Sequence, residues 1–155
     1  MTIILLRHGT RNYGIGDSPL NFEGMEEAVA LAAEDHFSSV TQIYCSPKKR
    51  AQMTIQPLAE KLNLKIETFP QLDQQLSSES REDFLKRVTH SLSSITGNLP
   101  SDAVCILCSH SDWLSTAVEL MPTQDGESQS LIFHCANYKT FSVKDGLWQL
   151  KSSPK

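Results

Sequence analysis

Three short apolar runs constrain this chain more than any other feature. Residues 2–6, 40–45 and 103–108 are nearly unbroken hydrophobic stretches. Each stops abruptly on polar residues: Arg7-His8, Ser46-Pro47-Lys48 and Ser109-His110. Runs without polar alternation leave no strand face for water, so they call for a sheet covered on both sides, usually a parallel one. Parallel neighbours need crossover connections, and the intervening segments carry helical patterns. Phe22, Met25, Val29 and Ala32 repeat on one helical face behind Asn21 as N-cap. Ala51, Ile55, Leu58, Ala59 and Leu62 form a second stripe, opened by Ser46 as N-cap and Pro47 as first helical residue. Phe84, Val88, Leu92 and Ile95 form a third, capped by Ser80. A short helix follows His110, with Leu114, Val118 and Leu120 turned inward. Further on, 131–133, 139–143 and 147–150 read as strands, the last two joined through an Asp145-Gly146 hairpin. The order predicts an α/β sandwich, one domain over 1–150 with a frayed tail at 151–155. Residues 69–79, rich in Gln and Ser, form the longest loop.

Composition narrows the function classes. The 155 residues suit one packed domain; 14 basic against 18 acidic side chains give a net charge of −4. With no basic run, the chain is a poor candidate for nucleic acid or an anionic membrane. No apolar stretch approaches the roughly 20 residues of a membrane span, and the N-terminal run is too short for a signal-peptide core. Cys105 and Cys108 have CxxC spacing but lie within an apolar run. With Cys45 and Cys135 they read as reduced thiols of a cytoplasmic protein, not as a zinc knuckle.

The chemistry-bearing residues cluster where strands end, which is where open α/β sheets place their sites. Arg7-His8-Gly9-Thr10, Ser46 to Ala51 and Ser109-His110-Ser111 follow three different strands. A parallel sheet brings two histidines and two arginines to one edge. Arg7 and Arg50 offer planar, permanently charged forks that match phosphate oxygens. Helices opening near Pro47 and after His110 add free N–H groups and positive dipole ends. A phosphoryl group is the natural occupant. A neutral imidazole, His8, keeps a lone pair for attack on it. Gly9 allows close backbone approach, and a protonated His110 adds charge in the transition state. The scheme needs no metal or cofactor.

Taken singly, these residues have bland readings. A lone His110 is more often a satisfied core histidine, and a lone Arg50 a solvated helix residue. Their joint position at three strand ends outweighs both. His36 suits the dipole at the end of the first helix, His90 is solvated, and His134 is a core residue of its strand. Trp113 fits a pocket rim or the core equally well. Lys48 and Lys49 read as a solvated helix start.

Leu6-Arg7-His8-Gly9-Thr10, Pro19 to Ala28, Tyr44 to Ala51 and Ser109-His110 together resemble the histidine phosphatase superfamily, also called phosphoglycerate mutase-like. The resemblance spans residues 3 to about 143, in family order. It implies a three-layer α/β/α sandwich with a mostly parallel sheet. It implies His8 as the residue phosphorylated during the reaction, with Arg7, Arg50 and His110 completing the phosphate pocket. The short chain is most similar to SixA-type phosphohistidine phosphatases, which remove phosphate from histidine on phosphotransfer proteins. The implied substrate is a phosphorylated protein, with small phosphomonoesters as the alternative. An idle phosphate- or phosphopeptide-binding module is the alternative of another class, and mutase activity ranks last. Many relatives place a general-acid Glu where this chain has Gln74. Asp73 is then the first candidate acid and Glu79 the second. Gly14 stands where relatives often have Asn; Gly9, Thr10, Asn12 and Ser111 are the candidate substrate-binding residues, and Arg11 and Tyr13 lie nearby.

Overall fold

The computed structural model describes residues 1–14, 16–123, 126 and 131–152. The three apolar runs form strands β1 (Thr2–Arg7), β2 (Gln42–Cys45) and β4 (Val104–Ser109), with a short β3 (Ile66–Thr68) at the edge. They pair in parallel, β3-β2-β4-β1, and an antiparallel hairpin of β5 (Tyr138–Lys144) and β6 (Leu147–Ser152) completes a six-stranded sheet. Asp145 and Gly146 make the hairpin turn with φ of 53° and 77°, the left-handed pair that a two-residue hairpin requires.

Side-chain alternation along the strands builds two cores. Ile3, Leu5, Cys105 and Leu107 face helices α3 (Arg81–Asn98) and α4 (Ser111–Leu120). Ile4, Leu6, Ile106 and Cys108 face α1 (Phe22–Ala33) and α2 (Lys49–Leu62). The result is the α/β/α sandwich expected from the sequence. Cys105 and Cys108, three apart on one strand, point to opposite faces, so the CxxC pair cannot chelate one ion.

Several local expectations change. On α1 the buried residues are Gly24, Ala28, Leu31 and Ala32, whereas Phe22 (72% exposed), Met25 (45%) and Val29 (63%) face outward. The cause is close packing. A Cβ on Gly24 would lie 2.0 Å from the Thr10 carbonyl oxygen, so the small-residue face meets the body of the protein. Helix α2 starts at Lys49 behind Lys48, not at Pro47, and the Ser46 hydroxyl accepts from the Lys48 N–H and meets His110. Residues 131–133 form no strand; Phe133 turns its carbonyl to Arg7 instead. His134 is accordingly exposed and outside any strand. Strand β6 runs on to Ser152, so residues 151–152 are paired rather than frayed; 153–155 lie outside the described residues.

Candidate active site

The parallel register carries the chemistry to one edge. Arg7 pairs with Ser109 and Cys45 with Cys108, so the next residues, His8, Ser46 and His110, emerge side by side. The two imidazole centroids are 5.1 Å apart. Arg50, in the first turn of α2, inserts between them and is only 2% exposed.

His8 Nδ1–H donates to the Gly9 carbonyl at 2.7 Å, which leaves the lone pair on Nε2. Arg50 Nε–H donates to that Nε2 at 3.2 Å. Burial, then the charges of Arg50, Arg7 and Arg11, lower the His8 pKa from 6.5 to about 4, against the raising effect of the Gly9 bond. His8 is therefore neutral near pH 7, with its free nitrogen against a guanidinium.

Arg50 Nη2 donates to His110 Nδ1 at 3.0 Å. The His110 proton then sits on Nε2, which donates to Ser46 Oγ at 2.7 Å. Burial first, then Arg50, His8, Lys48 and Arg11, push the His110 pKa down to about 2. The expectation of a protonated His110 does not hold in this arrangement. A buried imidazole beside a permanently charged Arg50 gives up its proton first.

Asp73 joins the site. It is 8% exposed, one carboxylate oxygen lies 3.5 Å from His110 Nε2, and the other pairs with Lys48 Nζ at 3.2 Å. Lys48 is thus a site-facing ion-pair partner, not simply a solvated helix start. Gln74 accepts from Arg50 Nη2. Glu79 is held elsewhere, by both Nε and Nη2 of Arg87, and that contact lowers its pKa. Of the two candidate acids only Asp73 reaches the pocket. Arg7 Nη1 donates to the Phe133 carbonyl at 2.7 Å, and its buried Nε has no partner among the described residues.

The remaining candidates divide. Gly9 is squeezed against α1: a Cβ there would lie 3.0 Å from Glu27 Oε2 and 3.1 Å from the Gly24 carbonyl. Its N–H donates to Thr54 Oγ1, whose hydroxyl donates to the Arg50 carbonyl. The Thr10 N–H and hydroxyl both go to Glu27 at 2.7 and 2.9 Å. Asn12 is exposed, taking a 3.4 Å contact from Asn21. Ser111 opens α4 beside His110. Trp113 is fully buried, and its indole N–H holds the Gln71 carbonyl. Glu27, Thr54, Asp17 and Arg87 were not singled out from sequence. Asp17 accepts from the Lys49 N–H at 2.9 Å and lies 3.8 Å from Arg50 Nη1. Only their tertiary partners mark them.

A neutral nucleophilic nitrogen, two arginines and a carboxylate beside a second imidazole can transfer a phosphoryl group. Among the described residues, no cluster of three or more His, Cys, Asp or Glu side chains could hold a metal ion. Among them, too, no helix is long and apolar enough to cross a membrane.

Residues 3–76 match the sequence profile of the Histidine phosphatase superfamily (branch 1). Over 110 residues, 67% of this chain, identity to the 8-oxo-(d)GTP phosphatase of Mycolicibacterium smegmatis is 29%. That match covers 33% of the relative, so the chain spans about a third of its length. The fold superposes on an Escherichia coli protein taken to be an alpha-ribazole-5′-P phosphatase, with TM-score 0.84 and 17% identity, covering 100% of this chain and 97% of the other. It also superposes on the protein histidine phosphatase SixA complexed with tungstate, with TM-score 0.76 and 20% identity, covering 98% and 95%.

Proposed function

We propose that this chain, whose residues 3–76 match the histidine phosphatase superfamily profile, is a phosphatase of that superfamily working through a phosphohistidine on His8, and that its substrate is phosphohistidine in a protein, such as a histidine phosphotransfer domain. The observation that carries the reading is the His8 Nε2 lone pair, held at 3.2 Å from Arg50 Nε. His8 Nε2 attacks phosphorus in line. The N–P bond forms as the bond to the leaving group breaks, and that bond's electron pair departs with the leaving group, which takes up a proton. Arg7, Arg50 and His110 hold the three non-bridging oxygens. Water then attacks phosphorus, the N–P pair returns to His8, and inorganic phosphate is released. The reaction calls for no cofactor, and the free thiols of Cys45, Cys105, Cys108 and Cys135 support a reducing, cytoplasmic setting.

Gln74 beside Arg50 supports the phosphohistidine substrate. An alkoxide needs a proton to leave, whereas an imidazole is the better leaving group. The second reading, small phosphomonoesters, is favoured by Asp73, whose carboxylate lies 3.5 Å from His110. Of the candidate substrate-binding residues, Ser111 at the start of α4 remains our proposal for a substrate contact, while the Gly9 N–H and both Thr10 donors are engaged with Thr54 and Glu27.

The test is phosphate release from a phosphorylated phosphotransfer domain, compared with sugar phosphates and p-nitrophenyl phosphate. Faster release from the protein supports the first reading; equal or better turnover of the esters selects the second. His8→Ala should abolish release and any trapped phosphoenzyme while melting as a folded protein. Retained turnover refutes the mechanism. Phosphate binding by the wild type, without turnover or a phosphoenzyme, makes the chain a recognition module instead.

A further inference from the structure

The leaving-group side of the pocket rests on a loop, residues 69–80, that has little regular structure of its own. One short helical turn, Pro70–Leu72, is its only regular element. Yet Asp73 and Gln74 must present their side chains accurately toward His110, Lys48 and Arg50. The hydroxyl of Ser109 and the indole of Trp113 hold the near end, through the Leu72 and Gln71 carbonyls. The far end is held by α3.

Arg87, on α3, uses its whole guanidinium for this. Nη1 donates to the carbonyls of Gln71 at 2.7 Å and Asp73 at 2.9 Å. Nη2 donates to the carbonyl of Gln74 at 3.1 Å and to Glu79 Oε2 at 2.8 Å. Nε donates to Glu79 Oε1 at 2.7 Å. Five donors thus meet five acceptors, three of them backbone carbonyls on either side of the two pocket-facing residues. Glu79 sets the fork, and the buried ring of Phe84 lies 5.0 Å from Arg87 Cζ. A lysine ammonium is a point charge with three donors and cannot reproduce this pattern.

We infer that Arg87 is a positioning residue: its guanidinium holds residues 71–74 so that Asp73 can hand a proton to the leaving group. Arg87 touches none of the reacting atoms and acts through the loop. This deepens the phosphatase reading above, in its phosphomonoester form, and rests on it. Asp73 would protonate the departing oxygen and regain a proton from the water that attacks phospho-His8.

Leaving-group dependence separates this role from a merely structural one. A 4-nitrophenolate leaves without help, whereas phenolate needs the proton. Arg87→Lys should keep kcat/KM on 4-nitrophenyl phosphate within about threefold and lose on the order of 10-fold to 100-fold on phenyl phosphate, since misplaced acid catalysis costs on this scale. Asp73→Asn should show the same selective loss, and the double variant should add little to it. Equal loss on both esters by a variant that still melts cooperatively would overturn the inference while leaving the phosphatase reading intact. A wild type inactive on both esters and on phosphohistidine refutes that reading, and the inference with it. Should Arg87→Lys fail to fold, Glu79→Gln loosens the same fork and should give a smaller loss of the same selectivity; its absence would be equally decisive.

Discussion

The two buried imidazoles make acid stability a sharp probe of the site. In the unfolded chain His8 and His110 titrate near their ordinary value of 6.5; in the folded protein they titrate near 4 and 2. Both folded values are depressed, so between them and 6.5 the unfolded chain binds more protons. Stability is therefore full above about pH 6.5 and falls as pH drops through the window, to about 4 for His8 and about 2 for His110. At pH 5 the linkage costs about 2 kcal/mol for each imidazole relative to pH 8, about 4 kcal/mol together. That is a large share of the roughly 5–15 kcal/mol that stabilises a typical domain. Urea unfolding at pH 8 and pH 5 gives the assay. His8→Asn and His110→Asn remove one titrating ring each, and burial, the largest cause for both, still depresses the ring that remains. Each variant should lose about 2 kcal/mol less than wild type between the two pH values. Variants that lose as much as wild type would show that neither ring is held neutral by its surroundings.

The same neutrality sets the rate profile: the acid limb of kcat/KM should fall near pH 4 rather than 6.5, which a pH series with p-nitrophenyl phosphate reads directly. Arg50→Ala should lower kcat by on the order of 10²–10³, the cost of one transition-state donor, in steady-state assays. Gly24→Ala forces a methyl against the Thr10 carbonyl at 2.0 Å, so it should destabilise by about 1–3 kcal/mol in urea melts and slow turnover by shifting the loop after β1.

The parallel sheet and the edge that carries the site were legible because unbroken apolar runs ending in Arg7-His8, Ser46 and Ser109-His110 admit few other arrangements. Asp73 is a candidate only through its neighbour, since the family resemblance puts an acid where Gln74 stands and no periodic pattern marks either residue. The outward face of α1 was not. Phe22, Met25 and Val29 make the stronger hydrophobic stripe, but Gly24 and Ala28 permit closer approach, and contact distance decided the orientation. The role of Ser46 was misread for a related reason: a serine before a proline looks like a cap, and only the fold brings His110 to within 2.7 Å of it. Arg87, Glu27 and Thr54 act through hydrogen bonds to residues far along the chain, and a periodic pattern does not record such partners.

One buried group, Arg50, bears on both the nucleophile and its anion preference. Arg50 cannot lose its charge, and it is buried against His8 and His110 at 3.2 and 3.0 Å. Burial first, and that contact after it, keep protons off both rings, which leaves the His8 Nε2 lone pair unprotonated. The contact also leaves a buried positive charge whose nearby carboxylates, among the described residues, include Asp17, at 3.8 Å, the half-shared Asp73 and Asp112. An incoming phosphoryl dianion offsets that charge and, by the same electrostatics, raises the pKa of both imidazoles. An occupied pocket thus holds both imidazoles nearer their protonated forms than an empty one does. A nonreactive oxyanion such as tungstate should accordingly be taken up with protons, and its affinity should rise as pH falls from 8 toward 6. Calorimetry in buffers of different ionisation enthalpy measures that uptake. Anion binding that is independent of pH across this range would separate the imidazoles from the anion and dissolve the link between basicity and binding.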